Sequence, residues 1–331
     1  MSSLSHDTPG AGNDRRGRAA ASPTRIPPAG WRDIAKRVIS EFGDDRVTLV
    51  AAGATFFMLL ALFPALAAFV SIYGVVSDPK TLADHIAYLG GLLPAGGLEL
   101  IEEQLRKLVS RDPAALSAGF VIGLLVALWG ANSGVKTLFT AMNVAYDEEE
   151  KRGLVRFHLT TLAFTLGAIG IGVALLLSVG VVPVLLDYAG LRDSVEWLIS
   201  VARWPLVFLV CWIGIALIYR FGPSRTHPKW RWILPGSFAA TLLWLAMSVL
   251  FSWYLQNFAD YSATYGSLGA VVGFMMWTYL SSIVLIMGAE LNSEIEHQTA
   301  IDSTVGSDRP MGERGAVMAD TLGEASDEAR D

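Results

Sequence analysis

Six long apolar runs constrain this chain more than any other feature. They lie at about residues 47–76, 116–138, 157–186, 197–219, 232–256 and 266–288. Each exceeds the ~20 residues that a helix needs to cross ~30 Å of hydrocarbon. The runs are continuously apolar and do not alternate, and they are too long for barrel strands. The expected fold class is all-α: a polytopic membrane helix bundle of about six transmembrane helices. Pro64, Pro183 and Pro205 lie in or beside these runs. Bilayer helices tolerate proline because neighbours satisfy the freed carbonyl. Pro64 should release the carbonyl of Leu60 and kink the first span.

Composition agrees. Hydrophobic residues make up 53% of the chain and charged residues 17%, against about a quarter charged in soluble domains. The net charge of −6 gives no overall basic field to attract nucleic acid. The single cysteine, Cys211, excludes an intramolecular disulfide and a multi-cysteine metal site. No cleavable signal peptide is expected, because residues 1–30 have no apolar core and the first run is too long for one.

Three divisions follow. Residues 1–30, rich in Ser, Gly, Ala, Pro and Arg, read as a disordered cytoplasmic tail. Residues 31–297 form the membrane domain, and the polar, acidic residues 298–331 read as a second disordered cytoplasmic tail. Within the domain, 31–46 reads as a helix lying on the membrane surface, with Trp31, Ile34, Val38 and Phe42 on one side. In the long loop after the first span, Leu82, Ile86 and Leu89, then Leu98, Ile101, Leu105 and Leu108, mark two amphipathic outer-loop helices that cap the bundle.

Lys and Arg set the orientation. They gather in the N-terminal segment (Arg32, Lys36, Arg37, Arg46), after the second span (Lys151, Arg152, Arg156) and after the fourth (Arg220, Arg225, Lys229, Arg231). The loop near 257–265 has none. Both termini are therefore expected in the cytoplasm, in a multi-pass protein of a bacterial-type inner (plasma) membrane.

Chemistry-bearing candidates are few. A charge inside hydrocarbon costs roughly 2.5–3.5 kcal/mol on insertion scales, so Asn132, Lys136, Arg220 and Glu290 stand out at the inner mouth. Asn132 and Lys136 share a helix face, and Lys136 and Glu290 fall at one level, where an ion pair could form. The competing reading is that Lys136 snorkels to the headgroups and Glu290 is solvated. Gly266, Gly269 and Gly273 share a face of the last span, while Gly170, Ala174 and Ser178 make a small stripe on the third. Such faces serve close helix packing, and a homo-oligomer is their alternative use. Trp253, Tyr254, Phe258, Tyr261 and Tyr265 read as interfacial anchors. The histidines (His6, His85, His158, His227, His297) form no metal-spaced pair, and no catalytic motif is present, so neither metal, cofactor nor enzyme activity is expected.

Three stretches carry a resemblance: AAGATFFMLLALFPAL in the first span, WGANSGVKTLFTAMNVAYDEEEKRG after the second, and YRFGPSRTHPKWRWILPGSFAATLLW continuing to YGSLGAVVGFMMWTYLSSIVLIMGAELNSEIEH. Together they resemble the YihY/virulence factor BrkB family of bacterial inner-membrane proteins, over about residues 31–297. The resemblance implies a six-span membrane protein connected with envelope integrity or serum resistance, for which transport is often suggested. An old family label, tRNA-processing ribonuclease, fits poorly, because a nuclease needs acids, histidines or metal ligands beside a basic RNA surface. Where the family often has tyrosine and serine in the first span, this chain has Phe56 or Phe57 and Ala61, which weighs against a polar pathway there. The expected function is a non-ATP-driven transporter or lipid-handling protein, with membrane lipids and an unidentified small solute or lipid as partners. The alternative is a scaffold acting through its outer loop and tails.

Overall fold

The structure is a computed structural model that describes residues 15–76, 113–188, 192–257 and 268–325. Eight α-helices lie among these residues. They are α1 (Pro28–Asp44), α2 (Val47–Val76), α3 (Pro113–Ala145), α4 (Leu154–Tyr188), α5 (Arg192–Phe221), α6 (Trp230–Asn257), α7 (Gly269–His297) and the short α8 (Val317–Asp320). No strand occurs among the described residues; one isolated antiparallel bridge joins Pro228 and Thr304.

The chain is all-helical, and among the described residues four helices are long and apolar enough to cross a membrane. Counting the bent pair α1–α2 as one span makes five. This supports a multi-pass bundle, with four to five such helices against the about six expected. The outer-loop helices predicted in 77–115 lie almost wholly outside the described residues, as do Phe258, Tyr261, Tyr265 and Gly266.

The outward faces are apolar. Ile122 and Leu125 of α3, Leu166 of α4 and Leu243, Val249 and Leu250 of α6 are all exposed. An apolar surface of this extent is stable against lipid and not against water. Inside, α2 and α3 approach closely at Gly130, where a Cβ would come within 3.0 Å of the Ala61 backbone. The tightest crossing joins α6 and α7. A Cβ on Gly236 would strike the carbonyl of Gly288 and the Asn292 side chain. Asn292 Oδ1 accepts the Gly236 amide at 2.7 Å, and its Nδ2 donates to the Ile233 carbonyl at 2.9 Å. Beside Pro235, which lacks a donor, the asparagine ties the two main chains together. Serines on neighbouring helices accept from three indoles: Trp212 of α5 donates to Ser237 of α6, Trp244 of α6 to Ser281 of α7 and Trp277 of α7 to Ser248 of α6, at 2.9–3.1 Å.

Two members of the expected small-residue stripes, Gly170 and Gly273, make no close approach to another helix among the described residues. Gly269 and Gly273 are buried, but a Cβ on Gly273 would make only an ordinary 3.9 Å contact with Leu255. Gly170 faces open space. Pro64 lies inside α2, which continues through it to Val76. The sharp bend comes earlier, 61° between α1 and α2, where Arg46 adopts a left-handed φ of 49°.

Both segments expected as disordered tails are folded wherever they are described. Residues 15–27 and 298–325 pack together against one end of the bundle, called here the capped end. The Ala300 amide donates to Arg18 O at 2.8 Å and Gln298 Nε2 to Arg16 O at 2.8 Å. Ala20 and Ile26 bury against Ile34 of α1, Trp232 of α6 and Ile295 of α7. Met318 enters the main core beside Tyr146 and Tyr219. Carboxylates supplement these few apolar anchors. Asp302 accepts from Thr304 N and Oγ1 and from Arg309 N at 2.7–2.9 Å. Asp320 accepts from the amides of Gly312, Arg314 and Gly315 at 2.8–3.0 Å. The ordering entropy is thus offset by charged acceptors on loop amides.

Candidate functional site

Among the described residues the buried charged side chains, Asp33, Glu148, Arg225, Glu290, Glu294, Glu296, Asp302 and Arg314, gather at the capped end. The hinge between α1 and α2, the α3–α4 and α5–α6 connectors and the end of α7 meet there, with both terminal segments over them.

The four residues singled out in the sequence do not form one cluster. Asn132 accepts a hydrogen bond from Thr165 Oγ1 of α4 at 3.3 Å. Lys136 is half-buried one turn further along α3, and among the described residues no ion pair joins it to Glu290. Arg220 donates from Nη1 to the Pro228 carbonyl at 2.6 Å, and its guanidinium carbon lies 4.4 Å from the Trp230 ring centroid. Glu290 is 1% exposed and faces acids. Its carboxyl hydrogen-bonds with that of Asp45, with Glu41 and Glu294 nearby, and its Oε1 has no hydrogen-bond partner. Burial pushes the Asp45 carboxyl up; the bond from Glu290 offsets this in part, and Asp147 and Asp44 add to the rise. Glu41 is raised to about 7, by burial first and then by Asp45.

Around this acid pair lies a shell of ion pairs that the sequence pattern did not reveal. Arg225 and Glu296 meet at 2.7 Å with neither side chain exposed. Ser303 Oγ donates to the same Glu296 oxygen at 2.6 Å. Arg37 pairs with Glu294 and also reaches Gln298 Oε1 at 2.8 Å. Further from the acid pair, at the start of α1, Arg16 pairs with Asp33 at 2.7 Å. Burying each charge beside an opposite one avoids much of the cost of leaving water.

The α3–α4 connector is stapled across to the α5–α6 connector. The Lys151 amide donates to Ser224 Oγ at 2.9 Å, and Arg152 Nη1 and Nη2 donate to the carbonyls of Phe221 and Gly222 at 2.9 and 2.7 Å. Glu150 is held down to about 2: its burial works upward, but the Arg152 and Asn143 hydrogen bonds outweigh it. Between the two connectors opens a pocket of about 420 Å³ lined by Lys151, Arg152, Arg156, Thr160, Arg225 and His227, with Gly315 of the C-terminal segment among its walls. His227 Nδ1 is buried without a partner. Burial holds the His227 imidazole below its usual range, and Arg220 beside it adds to this. A shallow apolar groove on the first turns of α4, lined by Leu154, Val155 and Leu159, shares Gly153, Arg156 and Thr160 with the pocket. Sequence reading used these cations only for orientation. Their clustering depends on a contact between connectors some seventy residues apart, which no local pattern encodes.

Among the described residues no group of three His, Cys, Asp or Glu side chains is placed to hold a metal ion.

A family profile described as virulence factor BrkB matches residues 38–311. The chain belongs to the BrkB family. A ribonuclease-like protein, YfkH, of Bacillus subtilis (strain 168) is 32% identical over 247 residues, 73% of this chain and 88% of that protein. A UPF0761 membrane protein of Idiomarina loihiensis is 26% identical over 261 residues, 77% of this chain and 88% of the relative. Another UPF0761 membrane protein, of Neisseria meningitidis serogroup B, is 25% identical over 265 residues, 78% of this chain and 62% of its own length. No solved structure matches. The family match covers the helical bundle and the first part of the C-terminal segment, to residue 311.

Proposed function

We propose that this family member is a lipid-handling protein of a bacterial inner (plasma) membrane, not driven by ATP and not an enzyme, with its capped end in the cytoplasm. The observation that carries this reading is the pairing of a cation-lined pocket with an apolar groove on the exposed side of α4. A soluble solute needs only the pocket. An amphiphile needs both, and needs the groove to face lipid. Leu154 and Val155 are 80% and 73% exposed, which suits contact with acyl chains. Lys and Arg at the capped end favour its cytoplasmic placement.

A nuclease would need free acids to hold a metal or activate water beside a basic surface, and the one unpartnered histidine of the pocket, His227, does not supply them. Here Glu148, Glu150 and Glu296 are each engaged with a cation, so no nucleic acid partner is proposed. The folded cap favours one second reading, a scaffold that recruits partners through its outer loop and termini.

Reconstitution into vesicles tests the proposal. A fluorescent phospholipid placed in both leaflets is bleached from outside by a membrane-impermeant reductant, in parallel with a solute-uptake readout. Bleaching beyond half the label, faster than in protein-free vesicles, is the expected result. Solute uptake without lipid movement would replace the proposal with a solute transporter, and neither activity would favour the scaffold.

A further inference from the structure

The charges around the pocket do not all balance. Lys151 is paired with Glu148 at 2.7 Å, Arg152 with Glu150 at 2.6 Å and Arg225 with Glu296 at 2.7 Å. Arg156 is different. Among the described residues its guanidinium has no acidic partner, and its charge acts on His227 across the pocket. It sits in the first turn of α4, where Gly153 offers no side chain to cap the helix and no acidic residue follows. The Phe157 amide is taken up by the Gly153 carbonyl at 3.0 Å, while the three amides before it belong to the uncapped start that attracts anions. The Lys151 ammonium spends one donor on Glu148 and remains 57% exposed. Donors and positive charge therefore exceed the acceptors available, and the apolar turn with Leu159, 62% exposed, begins directly beside them.

We infer that this pocket binds the phosphate of an anionic phospholipid, with Arg156 as counter-charge, Lys151 and the first amides of α4 as further donors, and the acyl chains lying along Leu154, Val155 and Leu159. Lipid is favoured over free phosphate because a soluble anion has no use for an exposed apolar groove sharing three residues with the pocket. Basic pockets between helices at a membrane face are suited to such headgroups. The inference rests on the lipid-handling reading for the placement of α4 at the headgroup level, and it adds the ligand class and the residues.

The test uses the purified full-length protein, equilibrated with vesicles of phosphatidylglycerol and phosphatidylcholine in equal amounts, then re-isolated for mass spectrometry of the bound lipid. Retention of phosphatidylglycerol over phosphatidylcholine is expected. Arg156→Gln should lower that preference about tenfold, the size of one charge-assisted contact, and Arg156→Lys should restore most of it. Arg231→Gln, an exposed cation at the start of α6, should leave it unchanged. Leu159→Ser should weaken lipid retention. Inorganic phosphate in excess should displace the lipid poorly. Equal retention of both lipids, an unaffected Arg156→Gln with unchanged melting temperature, or full displacement by inorganic phosphate would each overturn the site. Phosphatidylglycerol preference without lipid movement would sink lipid handling and leave the site standing. Lipid movement without headgroup preference would do the reverse.

Discussion

Arg225 of the α5–α6 connector and Glu296 of α7 form an ion pair from which water is excluded on both sides, with Nη2 2.7 Å from Oε2. The pair locks the connector to the last helix, and Ser303 extends the lock to the C-terminal segment. Removing one partner leaves a buried charge uncompensated, which costs about 3–5 kcal/mol. Glu296→Ala or Arg225→Ala should therefore lower the melting temperature in detergent sharply. The double change Arg225→Met with Glu296→Leu should recover most of that loss, because no charge is then stranded.

The crossing of α6 over α7 gives a second expectation. Gly236→Ala forces a Cβ into the Gly288 carbonyl and Asn292, and overpacking of this kind costs about 1–3 kcal/mol. Gly273→Ala, with only Leu255 at 3.9 Å, should be neutral within the error of a thermal melt. Equal effects at the two positions would contradict the packing described for α7.

Acidity should act through the hinge between α1 and α2. Glu41 takes up a proton more readily folded than unfolded, about 7 against 4.5. Between those values the folded state binds more protons, so the contribution of Glu41 to stability falls as pH rises from about 4.5 to 7. Part of the decline in melting temperature from pH 5 to pH 8, on the order of the shifted window, should vanish in Glu41→Gln. An identical pH profile in that variant would contradict the burial of Glu41 beside Asp45.

Asp320 offers the opposite sign. Its burial works to raise the carboxyl, but the amides of Arg314, Gly312, Ala316 and Gly315 hold it below the usual range. Its contribution is present above the ordinary carboxylate range and lost as pH falls through it. Asp320→Ala should open the turns at 312–315 to protease at neutral pH, while the unaltered chain resists cleavage there.

The bundle was largely legible in the sequence because lipid imposes continuous apolar runs. The run at 47–76 coincides with α2, Val47–Val76, and that at 232–256 lies within α6, Trp230–Asn257. The last run stops at 288 although α7 continues to His297. Glu290, Asn292, Ser293, Glu294 and Glu296 look like an exit from the membrane, yet all are buried, Asn292, Glu294 and Glu296 against partners from other elements. The cap escaped for the same reason. Residues 298–325 fold on carboxylate-to-amide bonds and on glycines with positive φ, such as Gly306 and Gly312, and hydrophobic periodicity is blind to both. The one local hint was an aspartate followed by Ser303 and Thr304, a side chain able to accept from the amide two residues on. Lys136 and Glu290 were expected at one level, but Thr137, beside Lys136, lies against Gly53, whereas Glu290 lies against Asp45, about two turns nearer the hinge.

Everything proposed for the capped end requires it to face the cytoplasm. Cys211 is the sole cysteine, so Cys211→Ser gives a clean background for single-cysteine labelling with a membrane-impermeant maleimide in spheroplasts. With Ser307→Cys in the exposed part of the cap, labelling should appear only after the membrane is permeabilised. With Ser262→Cys, in the connector between α6 and α7, labelling should appear in intact spheroplasts. Labelling of position 307 before permeabilisation, with 262 protected, would invert the bundle and contradict the placement of the phosphate pocket.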